Sequence, residues 1–126
     1  MANSFEVDLK QLEHDVAQLL TAAGFPRAVL EETSGFDLRR YSGAIRVYWA
    51  VDPAFDAMTL DLDTGHPMAR FELDVVNATL SAFVEILVKA GYTVTTRLPD
   101  HPEDHDLLVD VIAGPGPRTQ SSVPPP

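Results

Sequence analysis

The sequence predicts an α+β domain: an antiparallel sheet of five to seven strands with two helices packed on one face, in the order α-βββ(ββ)-α-ββ. Three observations predict it. Two segments repeat apolar residues at helical spacing, and each exits through a glycine followed by an aromatic residue. Two Ser-Gly pairs cut the stretch after the first of them into short β-prone runs. After the second helical segment come two more runs rich in β-branched residues.

From Asp8 to Ala23 the apolar residues Leu9, Leu12, Val16, Leu19 or Leu20, and Ala23 recur at the 3.6-residue spacing of a helix with one buried stripe. Asp8 caps the first turn, and Gly24 with Phe25-Pro26 ends the last one. Ser34-Gly35 and Ser42-Gly43 then separate Ala28–Thr33, Phe36–Tyr41 and Ala44–Val51, which predicts three antiparallel strands joined by tight turns. In the third, Ile45, Val47, Trp49 and Val51 share one face, and Ala44, Arg46, Tyr48 and Ala50 share the other. Met58, Leu60 and Leu62 alternate with Thr59, Asp61 and Asp63, predicting a further strand that is apolar inside and acidic outside. Thr64-Gly65-His66-Pro67 is expected to turn, and Ala69–Leu73 either returns as a short strand or joins the next helix. Val76, Leu80, Phe83 or Val84, and Leu87 mark that helix, with Asp74 as its expected N-cap and Gly91 as its C-cap. Tyr92–Leu98 alternates as a strand, and Leu107–Ala113 is apolar except at Asp110, as an inner strand covered on both faces is. Trp49, Phe83, Leu87 and Leu19 are the expected core.

At 126 residues the chain suits one hydrophobic core, placed at 1–113. Residues 114–126 form a Gly/Pro/Ser tail that cannot bury apolar area and is expected to be disordered. Nineteen acids against nine Lys and Arg leave a formal charge of −10. Such a charge repels phosphate backbones and acidic membrane surfaces within a Debye length of about 8 Å, so neither direct nucleic-acid binding nor membrane binding is expected. A basic partner protein is attracted by it, although keeping the chain soluble is the commoner use of an acidic surface. With no cysteine, disulfides, thiolate zinc sites and cysteine nucleophiles are excluded. No basic, apolar leader opens the sequence and no run approaches the ~20 apolar residues of a membrane span, so a cytoplasmic location is expected.

The densest polar cluster runs from Asp100 to Asp106. His101, His105 and Asp104 are the candidate metal ligands there, although Pro99 and Pro102 make the segment a loop, and a solvated acidic connection is the competing account. No cofactor signature is present. Asp61 and Asp63 are expected on one side of a strand some 7 Å apart, a spacing open to a cation, to carboxylate chemistry or to a wet sheet face. Arg46 and Tyr48, with Arg39 and Arg40, are expected to form an Arg and Tyr patch opposite Trp49 in an otherwise acidic protein. Arg and Tyr are enriched at interfaces, while cross-strand pairing with acidic neighbours is the plainer explanation.

In element order and charge the chain resembles the secretion-chaperone class, whose members are dimeric and bind unfolded segments of a partner; no motif is shared, and the closing helix of that class is replaced by the 114–126 tail. The leading expectation is a non-enzymatic protein-binding module, an adaptor, inhibitor or chaperone-like subunit, using an exposed sheet face or the acidic surface. One alternative is an acidic nucleic-acid mimic inhibiting a DNA-handling protein. Another is a small metal-dependent hydrolase built on the 100–106 loop, and a homodimer through the sheet is a further possibility.

Overall fold

The computed structural model describes residues 4–29, 32–63, 65–99 and 106–115. In chain order these form α1 (Ser4–Ala22), β1 (Gly35–Tyr41), β2 (Ala44–Ala50), α2 (Pro53–Thr59), α3 (Pro67–Lys89), β3 (Thr93–Arg97) and β4 (Leu108–Ala113). The class is α+β, with three helices and one antiparallel sheet of four strands in the order β1-β2-β4-β3, rather than two helices and five to seven strands.

α1 turns Leu9, Leu12, Val16 and Leu20 inward, while Leu19 lies at the edge of the core. It begins at Ser4, ahead of the expected cap at Asp8. Its exit follows the glycine signal: Gly24 has a φ of 106°, and the Phe25 amide reaches back to the Leu20 carbonyl at 3.1 Å. α3 leaves its last turn the same way, with Gly91 at φ 97° and the Tyr92 amide donating to the Leu87 carbonyl at 3.0 Å. The first exit delivers Phe25 edge-on to Phe83, with ring centroids 4.7 Å apart, and Trp49 stands against both.

The expected strand at Ala28–Thr33 is absent among its described residues. Residues 26–28 instead run beside the start of β1, where the Ala28 amide donates to the Phe36 carbonyl and the Phe36 amide to the Pro26 carbonyl, each at 2.9 Å. The Thr33 amide then closes a turn on the Val29 carbonyl. Ser34-Gly35 therefore lets two backbones touch rather than joining two strands. Ser42-Gly43 does form a hairpin turn, with both residues at positive φ between the paired Tyr41 and Ala44.

The expected strand at Met58–Asp63 is also overturned. Asp52 accepts a hydrogen bond from the Ala54 amide at 2.8 Å and Pro53 fills the first helical position, so the chain enters α2. Met58 and Leu60, expected to be buried, are exposed. A second cap of the same kind starts α3, where His66 Nδ1 accepts from the Met68 amide at 3.1 Å and Pro67 follows. Ala69–Leu73 thus belongs to α3, and Asp74 sits inside it rather than at its cap.

α1 lies over β1 and β2, and α3 over β2 and β3. Their stripes meet Phe36, Leu38, Ile45, Val47, Val109 and Val111 in one cluster, with Trp49 packed at its margin. Those sheet residues are cross-strand partners, such as Leu38 with Val47 and Ile45 with Val111, so they share one face. Burial of each such side chain stabilises the fold by about 1.5–3 kcal/mol relative to exposure. β4 is an inner strand, but it is covered on one face only: Val109 and Val111 are buried, while Ile112 on the other face is exposed.

Candidate protein-binding face

Strand alternation sends the remaining side chains to the opposite face, where no helix among the described residues packs. The register sets Arg39 beside Arg46, Arg46 beside Asp110, and Asp110 beside Thr95, in one row across all four strands. Tyr41 and Ala44 lie to one side of this row, and Asp37 and Tyr48 to the other. Arg39, Arg46 and Tyr48 thus lie on one face of the sheet, while Arg40, opposite the buried Ile45, turns the other way and donates to Glu13 of α1 at 2.9 Å.

At the centre, Arg46 Nε and Nη2 donate to the two carboxylate oxygens of Asp110 at 2.8 and 2.9 Å. Arg46 is only 9% exposed. The Tyr41 ring covers its guanidinium, with the ring centroid 4.2 Å from Cζ. The hydrogen bonds it donates to Asp110 hold the Arg46 guanidinium above its already high ordinary pKa, against the opposing effect of desolvation; the charge of Asp110 and the neighbouring Tyr48 and Tyr41 add to this. Arg39 donates to Asp37 at 2.9 Å. Cross-strand pairing therefore accounts for the charges, which are largely satisfied within this face, and Tyr41, Tyr48 and Ile112 remain exposed around them.

Asp61 and Asp63 are not on this face. They follow α2 as exposed residues of a turn, so the strand geometry that set them some 7 Å apart does not apply. His101, Asp104 and His105 lie outside the described residues. Among the described residues no group of three or more His, Asp or Glu is placed to hold a metal ion. His66 is spent on its helix cap. His14 borders an open depression of about 540 Å³ along α1 with Ala17, Gln18, Thr21 and Ala22. No described helix is long and apolar enough to cross a membrane.

A second cluster, where α2 meets α3, is absent from the sequence-based expectations. The Phe55 and Phe71 rings stand 5.9 Å apart, and the buried Thr59 hydroxyl lies between the Asp56 carbonyl, at 3.1 Å, and Glu72 Oε1. Burial, then a hydrogen bond to Asp56 and the charges of Asp56 and Asp106, push the Glu72 carboxyl above its ordinary range, with the Thr59 hydrogen bond opposing them. A hydroxyl carries a single proton. Thr59 Oγ1 stands within hydrogen-bond reach of both acceptors, the Asp56 carbonyl and Glu72 Oε1, and shares that proton between them. Asn77 Oδ1, nearby on α3, accepts from the Leu107 amide at 2.8 Å and fixes the approach to β4. The sequence signal for this corner was the pair Asp52-Pro53, which marks a helix start as well as a strand break.

Compared with known protein families, curated proteins and solved structures, the chain matches none at a significant level.

Proposed function

We propose that the protein is a non-enzymatic binding module that presents the uncovered face of its sheet to another protein. One observation carries this. A sheet whose helices lie on one side offers, on the other, exposed Tyr41, Tyr48 and Ile112 around the bidentate Arg46–Asp110 pair. Tyrosine and arginine are enriched in interface cores because they combine large contact area with a polar handle, and an internally paired guanidinium holds its neighbours in place before any partner arrives.

The face is locally close to neutral in a chain of charge −10: Arg39 faces Asp37, Arg46 faces Asp110, and Arg97 adds one positive charge beside Leu108. It suits a partner that brings apolar side chains to Tyr41, Tyr48 and Ile112 and neutral or acidic groups to Arg39 and Arg97. The test replaces Tyr48 and Ile112 together by serine, both being exposed, with Val88→Ser on α3 as the control. Affinity purification from the source cells and sedimentation of the pure protein read the result. Wild type and control are expected to hold one stoichiometric partner, or to dimerise, and the double variant to lose it. A wild-type protein that is monomeric and partnerless, or a double variant that binds as well, overturns the proposal.

A further inference from the structure

The corner between α2 and α3 carries exposed apolar side chains. Met58 is 63% exposed, Leu60 73% and Phe71 55%. Met58 lies in α2, Leu60 just after it and Phe71 near the start of α3, and the Phe55–Phe71 ring contact and the Thr59–Glu72 hydrogen bond bring these two segments together at one corner. Exposed singles are ordinary on any surface, whereas a contiguous patch on rigid elements marks a contact site.

The charge around the patch selects its occupant. Between Val51 and Asp74 the chain carries six acids and one basic residue, Arg70. Asp56, Asp61 and Asp63 are exposed, and none of them enters an ion pair formed among the described residues. An apolar surface framed by carboxylates that have no cationic partner among the described residues complements a segment with apolar residues along one side and lysines or arginines along the other, and it repels an acidic one.

We propose that the α2–α3 corner docks a basic amphipathic segment of a partner protein, seating its apolar side on Met58, Leu60 and Phe71 and meeting its cations with Asp56, Asp61 and Asp63. This surface lies on the helical side of the molecule and is separate from the sheet face. A basic segment cannot be drawn to the sheet face in the same way, because Arg39 and Arg97 already stand there.

Three synthetic helical peptides test the proposal by amide chemical-shift mapping of the intact protein: one with leucines on one side and lysines on the other, one with serine replacing each leucine, and one with glutamate replacing each lysine. The Leu/Lys peptide alone is expected to bind, with shifts concentrated at residues 53–62 and 67–75. The pair Met58→Ser and Phe71→Ser is expected to weaken it about tenfold, the loss typical of removing interface anchors. Asp61→Asn with Asp63→Asn, in an exposed turn where folding is not at stake, is expected to weaken it severalfold at low salt and little at high salt. Val88→Ser is expected to leave binding unchanged. Equal binding of the Ser/Lys peptide, shifts centred elsewhere, or indifference to both sets of substitutions overturns the proposal. None of these outcomes bears on the sheet face, which Tyr48 and Ile112 test independently.

Discussion

Arg46 lies in an inner strand with its side chain largely covered, so its guanidinium bears a desolvation cost. Two hydrogen bonds to Asp110 and the Tyr41 ring offset that cost. Removing one partner does not simply delete an interaction, because it leaves the other charge buried and uncompensated. Asp110→Ala is therefore expected to destabilise the fold by about 3 kcal/mol. Replacing both residues by leucine is expected to recover most of the loss, since an apolar pair has no charge to desolvate. Urea unfolding of the two variants checks this; a single substitution costing less than about 1 kcal/mol would show the pair to be a weak surface contact. Both residues were conspicuous in the sequence, Arg46 as an outward position in an apolar strand and Asp110 as the polar exception in another. Their pairing was not, because it spans 64 positions and depends on β4 lying beside β2, a strand order that no local pattern encodes.

At the scale of elements, long-period signals survived and short ones misled. α1 and α3 bury stripes that repeat over several turns, and both leave through the glycine and aromatic that the sequence displays. α2 has 7 residues, too few for a helical period to stand out, and Met58, Leu60 and Leu62 happen to alternate across its end as a strand does. What holds so short a helix is its contact with α3, and there Glu72 makes stability depend on pH. Its carboxyl has a higher pKa folded than unfolded, so between those values the folded state binds more protons. That contribution is complete below the ordinary carboxyl range and is lost as pH rises through the folded value. Glu72→Gln keeps the shape and removes the titration. The variant is expected to gain on wild type as pH climbs from about 5 to about 8, as thermal unfolding at each pH measures, and parallel curves would dismiss the effect. Gly35 supports a second element-scale prediction. A Cβ there would lie 2.4 Å from the Ala28 amide nitrogen and 2.5 Å from the Pro26 carbonyl oxygen, which are backbone atoms bonded into the start of β1. Gly35→Ala is expected to cost more than about 2 kcal/mol, whereas Gly24→Ala, with open space around it and only an unfavourable φ to bear, should cost about 1 kcal/mol. Similar losses at the two sites would mean that residues 26–28 yield easily.

For the whole molecule the governing quantity is the charge of −10, which the sequence stated outright and whose distribution only the fold reveals. Ion pairs among the described residues join Arg27 and Arg40 to Glu13, Arg39 to Asp37, Arg46 to Asp110 and Lys89 to Glu85. Apart from Arg46–Asp110 these pairs are substantially exposed, each worth about 0–1 kcal/mol, and salt weakens them. The acids at the α2–α3 corner have no such partners, and their mutual repulsion is relieved on unfolding. Salt therefore acts in two opposite directions, and the excess of acids decides the sign. Raising sodium chloride from about 0.02 M to about 0.5 M shortens the Debye length to less than about 5 Å, which removes more repulsion than attraction. The unfolding midpoint is expected to rise by the equivalent of about 1 kcal/mol, roughly 4–8 °C for a domain of this size. Sodium perchlorate at equal ionic strength separates screening from salting-out, since screening depends on charge and not on the identity of the anion. Asp61→Asn with Asp63→Asn should raise the low-salt midpoint and shrink the salt response together. A midpoint that falls with salt would mean that the exposed pairs outweigh the corner, and that its carboxylates stand too far apart to repel one another strongly.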